Sequence, residues 1–155
     1  MRLKDTAIYR SMRHGKALRE WMEDDFVVPV PAVVKRAVLR RYHIPGAAWI
    51  ETGTFQGDTT AVLARFASRV VSLEPAPELF AKAEARFSAN PAVTIINAPS
   101  ETAFPGILSD LDGPVCFWLD GHYSGGTTFK GAVDTPIAGE LDAIEAALHR
   151  LGRVA

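Results

Sequence analysis

The stretch Trp49–Asp58, WIETGTFQGD, constrains this chain more than any other. Its approach through Ala47, Ala48, Trp49 and Ile50 is apolar and suits a buried strand, which Glu51 closes. Gly53 and Gly57 follow, and a helical pattern opens at Asp58–Thr60. A strand, a glycine turn and a helix start, in that order, form a ligand site at the carboxyl end of a parallel strand. Gly53 allows a positive φ or a close backbone approach, and a side chain there is expected to block the ligand. The dinucleotide fingerprint G-x-G-x-x-G would need glycines at positions 53, 55 and 58, where the chain has Gly53, Phe55 and Asp58. A bulky Phe55 and an acidic Asp58 argue against a phosphate dianion at that helix start. The pattern present is acid-x-Gly-x-x-x-Gly.

The rest of the chain alternates helix and strand around this stretch. Residues 1–25 read as a basic helical arm, with Ile8, Met12, Leu18 and Met22 along a loose face, and residues 26–155 as the main domain. A helix runs from Pro31 to about Tyr42 ahead of the first strand. The second strand, Arg69–Leu73, is closed by Glu74, where an acidic side chain either accepts hydrogen bonds from ribose hydroxyls, as in nucleoside-binding folds, or caps the helix after Pro75. A helix over Pro77–Phe87, a strand over Val93–Asn97 and a helix over Glu101–Leu111 capped by Ser100 come next. The fourth strand, Val115–Leu119, is apolar throughout and reads as buried on both faces. It leads into Asp120-Gly121-His122-Tyr123 and a glycine-rich loop to Thr135. The last helix opens at Pro136, with Ile137, Leu141, Ile144 and Leu148 expected to face inward and Glu140 outward. The sum is a doubly wound, Rossmann-like α/β sheet of strand order 3-2-1-4. Its switch point brings Glu51–Gly57 and Asp120–Tyr123 to one crevice.

Composition narrows the function classes. The 155 residues suffice for one core, and the net charge of −1 offers no electrostatic case for nucleic acid as a partner. No apolar run approaches the roughly 18 residues of a membrane span. A lone cysteine, Cys116, cannot form an internal disulfide, which makes a reducing cytoplasm the expected compartment.

Acid-x-Gly-x-x-x-Gly resembles the first motif, D/E-x-G-x-G-x-G, of the class I S-adenosylmethionine (SAM) dependent methyltransferases, with Phe55 at the middle glycine. ETGTFQGDTT, SLEP and WLDGHYSGGTT carry the resemblance, which spans about Pro29 to Leu151. WLDGHYSGG in particular is similar to the fourth-strand motif of a bacterial group related to macrocin O-methyltransferase. The resemblance implies SAM as cofactor, a small-molecule acceptor and transfer to a hydroxyl oxygen. It implies that Glu51, Thr52, Gly53, Thr54, Phe55, Gly57, Pro75 and Asp120 border the cofactor, that Glu74 holds its ribose, and that Ser100 lies by its adenine. By the same resemblance Asp120 would stand at the reaction side as a catalytic residue, and His122 and Tyr123 would face the substrate. Asp120 also matches an aspartate that helps those enzymes hold a divalent metal such as Mg²⁺, although the further ligands they take from the next strand are not found here. His122 has two readings, a general base or a loop histidine bonded to backbone.

A non-catalytic nucleoside-binding or assembly domain is the rival reading, because one fold hosts many functions. The resembled fold has seven strands and four are legible here, so strands 5–7 are expected to be absent. The edge of strand 4 is then expected to pair with another chain, as in a homodimer, to be covered by the C-terminal helix, or to leave the chain poorly soluble, and the chain alone is expected to have little or no turnover.

Overall fold

A computed structural model describes residues 7–27, 29–121 and 136–155. Contacts divide the chain into two compact units, residues 1–41 and 42–155. The first unit holds α1 (Ala7–Glu23) and α2 (Ala32–Arg41). Beyond the end of α1 the Phe26 N–H bonds the Trp21 carbonyl at 2.9 Å and the two rings meet edge to face.

The second unit is a parallel sheet with helical crossovers. In chain order it holds β1 (Ala48–Thr52), α3 (Asp58–Leu63), β2 (Arg69–Leu73), α4 (Pro77–Phe87), β3 (Val93–Ile96), α5 (Ser100–Ser109), β4 (Gly113–Leu119), α6 (Ile137–Ala147) and β5 (Leu151–Val154). The sheet order is β3-β2-β1-β4-β5, with every pairing parallel. β1 is central, pairing Glu51 with Ser72 on one side and with Trp118 on the other.

Alternation along β1 sorts its side chains between the two faces of the sheet. Ile50 joins a core with Val71, Leu73, Phe104, Leu108, Val115, Ile144 and Leu151, beneath α5 and α6. Trp49, on the opposite face, meets Phe66 edge to face and donates its indole N–H to His43 Nδ1 at 3.1 Å. Cys116 is buried in β4, and burial pushes its thiol above the usual range, which disfavours the thiolate.

The four expected strands are present in the expected order, and a fifth lies beside them. The open edge foreseen along strand 4 is occupied by β5, with Gly113 opposite Leu151 and Val115 opposite Val154 across a register irregularity. Phe117 N–H and Ala155 C=O close the ladder at 2.8 Å. The edge proposed for pairing with a second copy is therefore internal to the chain. LGRV was illegible as a strand because it spans four residues and buries only Leu151, leaving no alternation to read.

α6 also sits differently from its expected orientation. It buries Glu140, Ile144 and Ala147, while Ile137, Leu141 and Leu148 are exposed. The small Ala147 allows close packing, and this rotation carries the Glu140 carboxyl to the strand ends.

Candidate functional site

The crevice lies where the carboxyl ends of β1 and β4 meet. Gly53 has φ +82°, and a Cβ there would stand 2.7 Å from the Asp120 carbonyl oxygen. Only glycine permits both the left-handed backbone and that approach. The obstruction foreseen between a side chain at Gly53 and a ligand is first an obstruction between β1 and β4. Asp120 N–H in turn donates to the Thr52 carbonyl at 3.2 Å.

Four residues, Thr54–Gly57, make the turn into α3. The Gly57 N–H bonds the Thr54 carbonyl at 2.8 Å, and Gly57 itself is left-handed at φ +76°. Arg86 reaches across from α4 to the Gln56 carbonyl and to Asp58 Oδ1, pinning the turn from outside. Phe55, at the position of the absent middle glycine, has φ +49° and is 45% exposed. A non-glycine residue there is strained, and such strain persists where surrounding bonds hold it. The holding bond is the Phe55 N–H to Glu74 Oε2, 2.7 Å.

Glu74 is thus a keystone of the turn as well as a candidate ribose acceptor. Its other oxygen takes the Ala76 N–H at 3.0 Å, and the side chain is nearly buried. Each carboxylate oxygen retains a lone pair for a ligand hydroxyl. Asn97, a residue the sequence reading used only as a strand end, donates to the Glu74 carbonyl at 2.8 Å and to the Pro75 carbonyl at 3.2 Å. It therefore sets the backbone on which Glu74 stands.

Glu51 lies under the turn, 1% exposed. Its Oε2 accepts from Thr60 Oγ1 at 2.5 Å and Ser72 Oγ at 2.6 Å, while Thr54 Oγ1 meets Ser72 Oγ at 2.6 Å. Burial, above all, pushes this carboxyl up to about 7, with Asp120 and Glu74 adding like charge and the two hydroxyls opposing the rise. It ties β1 to β2 and α3 from beneath the crevice.

Thr52 points to the other face, toward α6. There Glu140, 2% exposed, brings its Oε1 to 3.6 Å from the Cβ position of Gly121, and Thr52 Oγ1 lies 3.1 Å from the same point. Neither oxygen has a hydrogen-bond partner among the described residues. Burial raises the Glu140 carboxyl, and the Ser100 and Thr52 hydroxyls lie near enough to oppose that rise, although Thr52 Oγ1 and Glu140 Oε1 do not meet in hydrogen-bond geometry. Ser100, expected as a cap, is the buried first residue of α5, which follows the fixed φ of Pro99. Sequence reading missed Glu140 because its helix was assigned the opposite face.

Glu51, Thr52, Gly53, Thr54, Phe55, Gly57, Glu74, Pro75, Ser100 and Asp120 thus cluster at the carboxyl ends of β1, β2 and β4 and the start of α5. His122 and Tyr123 lie outside the described residues. Among the described residues no group of three or more His, Cys, Asp and Glu is poised for a metal ion, and Mg²⁺ finds no support. No helix among them is long and apolar enough to cross a membrane. The acidic surroundings suit a cationic ligand group and disfavour a phosphate.

No protein-family model matches the chain, and no curated protein matches it. Solved structures do. SMU.1697c of Streptococcus mutans, described as a methyltransferase and held in complex with S-adenosylhomocysteine (SAH), aligns at 19% identity over 83% of this chain and 72% of its own, with a TM-score of 0.55. The 23S rRNA methyltransferase ErmE aligns at 18% identity over 79% of this chain and 43% of its own, TM-score 0.57, so the chain spans less than half of it. An rRNA methylase from Streptococcus thermophilus aligns at 19% identity over 83% and 69%, TM-score 0.51. The chain has the Rossmann-like fold of SAM-dependent methyltransferases.

These neighbours correct one expectation. Nucleic acid was set aside on a net charge of −1, yet two of them are named for rRNA. This fold accommodates such acceptors, and a whole-chain charge averages regions that differ, so the exclusion does not stand.

Proposed function

We propose that this protein is a SAM-dependent methyltransferase. The observation that carries the reading is the Gly53 turn, where an added Cβ would stand 2.7 Å from the Asp120 carbonyl oxygen, with the turn held by the Phe55 N–H to Glu74. It builds an acidic, phosphate-averse crevice at the switch point of the sheet. SAM fits this donor set, having a ribose diol for Glu74 and cationic amino and sulfonium groups for the acidic rim. When bound, it would supply an activated methyl group for in-line transfer, for which alignment provides much of the rate. The chain's own part is to hold the nucleoside through Glu74 and Pro75 and to set the β1–β4 separation through Gly53. Asp120 stands beside the reacting position. SAH bound to a protein of this fold supports the cofactor, and the strained Phe55 at the middle glycine disfavours NAD.

The narrower kinship with the macrocin-type group rests on WLDGHYSGG, whose residues from His122 onward lie outside the described residues. Calorimetry with SAH, NAD and ATP tests the cofactor, and labelled SAM tests turnover. SAH binding is expected; protection by NAD without protection by SAH sinks the reading. Asp120→Asn is expected to abolish transfer while leaving SAH affinity largely intact.

A further inference from the structure

The charge of this chain is divided between its two compact units. Residues 1–41 carry ten Lys or Arg against five Asp or Glu, a formal +5. Residues 42–155 carry seven against thirteen, a formal −6. The total of −1 conceals both. A polyanion responds to the local distribution rather than to the total.

Among the described residues, basic side chains of the first unit stand on both of its helices. α2 carries Lys35, Arg36, Arg40 and Arg41 and no acid in ten residues. Arg36, Arg40 and Arg41 are exposed, and none makes an ion pair with a described residue. Arg40 and Arg41 complement the helix dipole at its last turn, but Arg36 stands a full turn earlier, on one ridge with Arg40. On α1, Arg13, Lys16 and Arg19 recur every three residues and are exposed. Lys16 meets Glu20 at 3.5 Å, an exposed pair of small worth that opens readily to a phosphate.

An anionic membrane is the other surface such helices could meet. It asks for a continuous apolar ridge opposite the charges. The ridge on α1 reads Ile8, Met12, Gly15, Arg19, Met22, so glycine and arginine interrupt it. On α2 the exposed large apolar side chain is Val38. The pattern favours phosphates on a flexible strand over a bilayer.

We infer that the basic helices α1 and α2 bind nucleic acid, each offering an exposed surface to the phosphate backbone, through Arg13, Lys16 and Arg19 on α1 and Arg36, Arg40 and Arg41 on α2. Combined with the proposed methyl transfer, on which this last step rests, the surface assigns a nucleic acid as acceptor class. The acidic sheet unit is then left to the cationic cofactor.

The test is fluorescence anisotropy of the full chain with a labelled single-stranded RNA of about 20 nucleotides, titrated over salt without SAM. Six phosphate contacts give a slope of log K on log salt of about −4 for a single strand. Arg36→Gln/Arg40→Gln/Arg41→Gln is expected to flatten the slope by about 2 and to weaken binding roughly 100-fold at 0.1 M salt. Lysines at the same three positions are expected to restore binding, which separates charge from helix damage. Arg65→Gln/Arg69→Gln, at exposed positions of the second unit, is expected to leave binding unchanged. Absence of RNA binding at low salt, equal binding by the triple glutamine variant, or tighter adsorption to phosphatidylserine vesicles than to RNA would overturn the inference. A chain that binds RNA but not SAH would retire the methyltransferase reading and leave this surface standing.

Discussion

Two buried carboxyls flank the end of β1, one on each face of the sheet, and their surroundings differ. Glu51 faces α3 and has its Oε2 held by Thr60 and Ser72, with Thr54 extending the chain of hydroxyls. Glu140 faces Thr52 from α6, and its Oε1 and Thr52 Oγ1 lack partners among the described residues. A satisfied buried network rigidifies a structure, whereas an unsatisfied buried acceptor costs free energy. Among the described residues the α3 side of the site is thus the more fully bonded, and the α6 side the less.

The sharpest break of this comparison is Gly53→Ala, at the point where the two sides join. The added methyl meets the Asp120 carbonyl and the φ of +82° is unfavourable for alanine, so a loss of about 3 kcal/mol or more and of detectable SAH binding is expected. Urea unfolding and calorimetry check both; a variant that binds SAH normally would show that β1 and β4 need not approach so closely.

Glu51→Ala removes the acceptor for two buried hydroxyls and is expected to cost about 2–4 kcal/mol in the same unfolding experiment. A cost below about 1 kcal/mol would erase the contrast with Glu140.

The same residue sets a pH dependence. Its folded pKa of about 7 lies above the ordinary 4.5, so between those values the folded chain binds the extra proton. Its contribution to stability is therefore full below pH 4.5 and is lost as pH rises toward 7, by up to about 3 kcal/mol. Glu51→Gln is expected to remove that part of the slope. Parallel pH profiles of the two proteins would contradict the assignment.

Glu74→Ala is expected to weaken SAH binding by about 1.5–3 kcal/mol, the scale of hydrogen bonds to a charged group. It is also expected to loosen the Thr54–Gly57 turn, because Phe55 and Ala76 lose their acceptor. Unchanged SAH affinity, measured by calorimetry, would reduce Glu74 to a turn residue.

The smallest effect belongs to Glu140→Met. Replacing an incompletely paired carboxyl with an apolar chain of similar length is expected to change stability by less than about 1 kcal/mol, in either direction. A loss as large as that of Glu51→Ala would show that both sides of the site are equally built for stability.

The sequence by itself determined the alternation of strands and helices, the switch point and the turn that makes the crevice. Trp49–Ile50, Val70–Val71 and Val115–Leu119 are apolar runs, and Gly53 and Gly57 punctuate the chain between them; these are local signals that survive without tertiary context. Tertiary structure alone decided three things. β5 exists because the edge of β4 recruits LGRV, a pairing no four-residue pattern announces. α6 turned its glutamate inward because its two candidate ridges share Ile144, and packing against α5 and the sheet chose between them. Glu74 became the holder of the Phe55 turn because nineteen residues of chain separate partners that the β1–β2 pairing brings to 2.7 Å. Each depends on groups distant in sequence, whose contact energies appear only once the sheet has formed.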